Sequence, residues 1–291
     1  MRARLPFRLI RQTGGGRTLV EMPDGYFDDS SMLRRINRER VLVLSGPRAL
    51  LMQAAHPLAV SGLLAHTESL DEPYERLERV AQVLTAIGFG TREEADRMTA
   101  PVRAAHGRVS GKLKEDVGPY PAGTPYRADD PELLMWVLFT LIDSALVVYR
   151  RYIGELDRPA EAAYWEDYKV VGELFGLERT EMPDTLEDLN SYRREMLEGD
   201  RLYVTDWARE KARRIVLDPP VPVYARPLVE TANFITIALL PDRLRDAYGF
   251  SPLVPIAARR ALVAGGAAYV KRALLPLLPS RLRYVPAAQA G

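Results

Sequence analysis

The chain has no cysteine and only three histidines and three tryptophans in its 291 residues. The missing thiols exclude disulfides, iron–sulfur clusters, thiolate-ligated haem and cysteine nucleophiles together. They also fit a reducing compartment, so a cytoplasmic setting is expected. Charge of one sign is missing too: 40 basic and 39 acidic residues leave a net +1. That balance gives no electrostatic case for nucleic acid or an acidic partner, and no zinc-finger spacing or RNA-binding motif is present. No nucleic acid is therefore expected as a ligand.

Long apolar runs are scarce. The greasiest, 133–148, is broken by Asp143 and falls short of the roughly 20 residues a bilayer span requires. It is expected to be a helix buried in protein, not a transmembrane segment. The basic start, Met1-Arg-Ala-Arg-Leu-Pro-Phe-Arg8, is followed by no long apolar stretch and cleavage site, so no signal peptide is expected. Alternating strand patterns are absent as well.

What is present is helical periodicity, which predicts an all-α fold: a single globular domain of about ten helices. The domain is expected over 30–285, after a basic arm at 1–29 and before a flexible small-residue tail at 286–291. Helices are expected at 47–55 and 58–65. The His56-Pro57 pair breaks them apart, because a residue before proline is disfavoured in the helical region. Leu77, Ala81, Leu84 and Ile87 share one side of a third helix, 73–87, at the three-to-four spacing of a buried face. Thr91 and Glu94 form the pattern of a capping box for a fourth helix, which carries His106. The stretch 116–129 is rich in Pro, Gly and Tyr and has no period. A loop of that length in a compact domain is usually functional, and it is expected to act as a lid. Asp130 and Pro131 then start the central apolar helix as cap and first residue. Later helices are expected near 159–175, 185–198, 202–216, 228–239, 241–248 and 255–275.

All three histidines, His56, His66 and His106, fall in one stretch, so imidazole chemistry has few places to sit. If the helix runs from 102 to 113, Val102, Val109 and Leu113 share a face with His106. An imidazole on such a face can ligate haem iron, or be a core histidine held by hydrogen bonds. Both readings stay open. Arg76 and Arg79 lie three apart, as neighbours on a helix surface. They suit haem propionates or a bound oxygen species, or ordinary ion pairs with Glu72 and Glu75. The three histidines match no standard metal spacing, though three separate elements can converge on one non-haem metal. There is no H-E-x-x-H or G-x-S-x-G. Gly14-Gly-Gly16 has Leu19 where a dinucleotide fingerprint needs its third glycine.

Several motifs occur in a specific order: Gly46-Pro-Arg-Ala-Leu-Leu-Met-Gln-Ala-Ala-His56-Pro57, Glu72-Pro-Tyr-Glu-Arg76-Leu-Glu-Arg79, Phe89-Gly-Thr-Arg-Glu-Glu-Ala95, 102–111, and Tyr126-Arg-Ala-Asp-Asp-Pro131 running into Leu133-Leu-Met-Trp136. Leu239-Leu-Pro-Asp-Arg243-Leu-Arg245 and Leu277-Leu-Pro-Ser-Arg-Leu-Arg283 follow. Together they resemble the catalytic domain of the rubber oxygenase and mpaB-like oxygenase family. The resemblance implies a mostly helical fold, a b-type haem and dioxygen chemistry on an apolar small-molecule substrate. It implies His106 as axial iron ligand, Arg76 and Arg79 as distal or propionate groups, and His56 and His66 as pocket residues. It names no redox partner. Two positions depart from the family pattern: Val80 where a threonine is common, and Leu138 where a histidine is expected. The alternatives are a non-haem metal site of His56, His66 and His106, and a non-catalytic module that binds an isoprenoid or lipid.

Overall fold

The computed structural model describes residues 10–13, 16–19, 24–66, 73–217, 222–224, 226–251, 265–268 and 270–289. Helices dominate: α1 (Met32–Asn37), a 3-10 turn at Arg40–Leu44, α2 (Ser45–Gln53), α3 (Pro57–His66), α4 (Pro73–Phe89) and α5 (Arg92–His106). The second half adds α6 (Pro131–Tyr152), α7 (Arg158–Phe175), α8 (Leu186–Glu198), α9 (Asp206–Leu217), α10 (Arg226–Leu239), α11 (Asp242–Ala247) and a short α12 (Ser280–Arg283). The fold is all-α, as the periodicity predicts.

Helix α6 is the axis of the core. Asp130 caps it by accepting from the Glu132 backbone N–H at 2.9 Å, and Pro131 fills the first position, where no backbone donor is required. At 22 residues α6 is long and apolar enough to cross a bilayer, yet 78% of its most apolar window is buried inside the protein. It packs on α2, α7 and the 40–44 turn, with Trp136, Phe139 and Ile142 almost fully enclosed. Its charged interruption is answered within the core. Asp143 meets buried Arg48 of α2 at 2.8 Å and Arg193 of α8 at 3.1 Å. Arg48 also donates to the Leu239 carbonyl at 2.8 Å and the Ser144 hydroxyl at 2.7 Å, so one guanidinium ties together α2, α6 and α10.

The structure corrects three sequence expectations. Strands exist: β1 (Ile10–Thr13) pairs with β2 (Gly16–Leu19), and β3 (Ser110–Lys112) with β4 (Pro125–Arg127), both antiparallel. The helix carrying His106 does not continue to residue 113. It stops at His106, because 110–112 satisfy their backbone groups on β4, a partner in sequence too distant for local periodicity to reveal. For the same reason 116–129 is not a structureless loop. Its end forms β4, Val117 and Tyr120 bridge one another, and the Leu113 backbone N–H donates to the Thr124 carbonyl at 2.9 Å. Most of the helix expected at 255–275 lies outside the described residues, and its end at Val270–Leu274 is wound as a wider π turn.

Candidate active site

The break between α2 and α3, the cap of α5 and the length of α6 together leave a cavity of about 560 Å³. That size is ordinary for a cofactor or small-molecule site. Its walls are mostly aliphatic: Leu50 and Ala54 of α2, Leu58 of α3, Val83 of α4, Val102 of α5 and Val137 of α6. Three side chains bring polar groups: Gln53, Arg79 and His106. Gln53 is anchored, its amide donating to the Thr140 hydroxyl at 3.0 Å.

His106 reaches the cavity from the last turn of α5. The Thr91 hydroxyl starts that helix by accepting from the Glu94 backbone N–H at 3.1 Å. Pro101, Val102, Ala105 and His106 then face the cavity as one stripe, as positions three and four apart do on a helix. Of the apolar partners expected for His106, Val102 shares that stripe and Val109 lines the cavity from beyond the helix end. Leu113 is buried after β3 and is absent from the cavity wall.

Arg79 is exposed and also lines the cavity, so its guanidinium stands at the solvent edge. Val80 and Val83 carry the same side of α4 inward. Leu138 is buried but turned away. A side chain at Gly172 of α7 would meet its Cδ2 at 3.0 Å. The position where a histidine was expected therefore faces α7, whereas Val80 does line the cavity. Arg76 and His66 lie on α4 and α3, and their side chains fall outside what the structure describes.

His56 is placed elsewhere. It is buried at the α2–α3 junction, outside the cavity lining, with Tyr120 Oη 3.3 Å from Nε2 and the two rings 5.6 Å apart. Burial, reinforced by the nearby Arg201 charge, pushes its pKa down to about 4 against a weaker pull from Asp130. His56 is thus a neutral core residue near pH 7, and the structure separates it from His106. Among the described residues no three His, Asp or Glu side chains gather in a way that could hold a metal ion.

Asp129 is a neighbour that sequence reasoning missed. Arg127 grips its carboxylate with Nε at 2.9 Å and Nη2 at 2.7 Å. That hydrogen bonding, opposed by desolvation and aided by smaller contributions including the His106 charge, holds the Asp129 pKa below the usual carboxylate range. The adjoining Asp130 is the helix cap. Sequence marks Asp130 as the cap through the Pro131 that follows it, but carries no signal that places Asp129 beside the end of α5.

The arrangement is an apolar chamber with one imidazole on its wall and one guanidinium at its edge. It can hold a flat apolar cofactor or ligand, offer it a nitrogen donor, and pair a peripheral anion. A family model described as ER-bound oxygenase mpaB/B'/Rubber oxygenase, catalytic domain, matches residues 33–272. The chain belongs to this family. Its helices from α2 to α11, and with them every wall of the cavity, fall inside the match. Membership makes this an oxygenase-type catalytic domain. No curated protein and no solved structure matches the chain significantly.

Proposed function

We propose that this domain is a haem b-dependent oxygenase that uses dioxygen on a small or medium apolar molecule. The observation that carries the reading is the shared position of His106 and Arg79 on one largely aliphatic cavity. Bound haem would supply the redox-active iron that dioxygen chemistry requires. His106 is the residue to hold it, because a neutral imidazole is a strong iron ligand and no cysteine competes. Arg79 is suited to a propionate or to an anion developing at the cavity edge. Its guanidinium stays protonated, so it acts as a hydrogen-bond donor and point of charge, not as a proton source. Arg76, one turn earlier on α4, is proposed for the same role from the family resemblance alone.

Aliphatic side chains exclude water and leave hydrocarbon as the favoured substrate chemistry. Asp129, which lies near enough to the end of α5 to feel the His106 charge, would help orient the His106 ring, as carboxylates beside ligating histidines do. Val80 in place of threonine leaves that position of the chamber without a hydroxyl, so Arg79 is the charged donor that its lining offers. The absence of cysteine suits a reducing compartment, and the cytoplasm is the setting proposed.

Titrating the purified protein with haemin, before and after dithionite, tests this reading. A Soret band that shifts on reduction and with carbon monoxide is expected. His106→Ala is expected to lose that band while keeping its helical circular dichroism. Full retention of haem in His106→Ala would reject His106 as the residue that holds it, and no band in the wild-type chain would reject haem. In the latter case, thermal stabilisation by apolar ligands would identify a binding module.

A further inference from the structure

One polar group on the chamber wall has no part in holding haem. Leu50, Gln53 and Ala54 fall at positions i, i+3 and i+4 of α2, so they share a face, and all three line the cavity. The Gln53 amide is held in one orientation by a relay. The hydroxyl of Thr140, a buried residue of α6, donates its one proton to the Val137 carbonyl at 2.7 Å. Towards Gln53 it can therefore only accept, and it takes a proton from Nε2 at 3.0 Å. A flipped amide would set two acceptors against each other. The nitrogen end is thus fixed on α6 and Oε1 is left over. Among the described residues no donor meets Oε1, nor is it one of the polar atoms sealed inside the core. Its lone pairs open onto the cavity that Gln53 lines.

The rest of the wall narrows what can satisfy this oxygen. A pure hydrocarbon laid against it would leave a desolvated acceptor unpaired, which is costly. Water is a poor filler, because an enclosed water requires roughly two to four polar partners and Leu50, Ala54 and Leu58 supply none. A carboxylate or phosphate would set oxygen against oxygen. A cation would have to shed its hydration in an aliphatic chamber that already has the Arg79 guanidinium at its edge. What remains is a neutral hydrogen-bond donor on an otherwise apolar body, in its simplest form a hydroxyl.

We infer that Gln53 is a specificity-determining residue that selects a lipophilic alcohol, whose aliphatic body lies in the chamber while its hydroxyl donates to Gln53 Oε1. Thr140 is the positioning residue that aims the amide. The inference refines the apolar substrate of the proposed function and rests on that reading for the chemistry, but the preference for a donor does not require haem. Anchoring the hydroxyl on α2 holds the hydrocarbon in a single register along the chamber.

The test is equilibrium binding of decanol and of its methyl ether to the full-length protein, read by calorimetry. The ether keeps the oxygen and adds a carbon, so hydrophobic burial alone favours the ether, and only a site that reads the donor prefers the alcohol. Decanol is expected to bind at least about ten-fold tighter. Gln53→Met is expected to abolish this preference while binding the ether as the wild type does, which also shows that the variant folds. Thr140→Val, isosteric but without the hydroxyl, is expected to keep ether binding and lose part of the preference, because the amide is then free to turn. Equal binding of the two probes, no binding of either, or an undiminished preference in Gln53→Met would overturn the inference. If Gln53→Met loses the ether as well, Thr140→Val decides, and an unchanged preference there overturns it. The absorption spectrum of the same preparation keeps the two readings apart. Selection of the alcohol by a chain without a Soret band rejects haem and leaves Gln53 standing, whereas a Soret band with indiscriminate binding rejects the role of Gln53 and leaves haem.

Discussion

The imidazole of His56 and the hydroxyl of Tyr120 meet at 3.3 Å across the α2–α3 junction, and the contact pins the 113–124 segment to the helical core. It is reinforced next door, where the Tyr203 backbone N–H donates to the Ala55 carbonyl at 2.9 Å. Gly118, at φ +58°, lies so close to the Tyr203 ring that a Cβ there would come within 2.5 Å of it. His56 Nδ1 has no hydrogen-bond partner among the described residues.

This burial makes His56 a source of acid instability. Its pKa is about 4 in the folded chain against 6.5 for the free side chain. Above pH 6.5 both states are neutral and the group contributes nothing. As pH falls from 6.5 towards 4 the unfolded chain takes up the proton first, so stability falls by roughly 1.4 kcal/mol per pH unit and about 3 kcal/mol in all. Urea denaturation at pH 7, 6 and 5 reads this slope. His56→Gln should flatten it, and an identical slope in that variant would refute the assignment.

Arg48 and Asp143 lead to a second prediction. Removing one member of a buried pair leaves the other charge uncompensated and costs roughly 3–5 kcal/mol. Arg48→Met should approach the lower figure, because Arg193 still meets Asp143 while the carbonyl of Leu239 loses its donor. The double replacement Arg48→Met, Asp143→Leu should recover part of the loss. Equal stability of Arg48→Met and wild type in denaturant would contradict the pairing.

Gly111 faces Tyr126 across the β3–β4 ladder, and a Cβ at Gly111 would come within 2.4 Å of the Tyr126 hydroxyl. Gly111→Ala should therefore push the ring aside and destabilise by about 1–3 kcal/mol, the usual cost of overpacking. Tyr126→Phe in the same background should restore part of it. Thermal melts of the single and double variants decide between these outcomes.

The cavity itself can be filled. Val137 lines it from α6, and Val137→Trp adds a large apolar ring without adding charge. Helicity should be kept while uptake of haemin or any other apolar ligand drops at least ten-fold. Undiminished uptake would place the ligand elsewhere in the molecule.

Sequence alone determined the helical class, the caps of Thr91 and Asp130, the break at His56-Pro57, and the family. Each of these is local chemistry or an ordered string of residues: a hydroxyl or carboxylate that satisfies a backbone N–H within one turn, a proline ring, a period of 3.6. Tertiary structure decided what those signals cannot encode. It ended α5 at His106 by pairing 110–112 with 125–127, and it turned Leu138 towards α7. It also sent His56 to Tyr120 while His106 and Arg79 came to one cavity. The physical reason is range. Periodicity orients a side chain about its own helix, but which distant element covers that face depends on how the helices stack on α6, and that is settled by packing over the whole core.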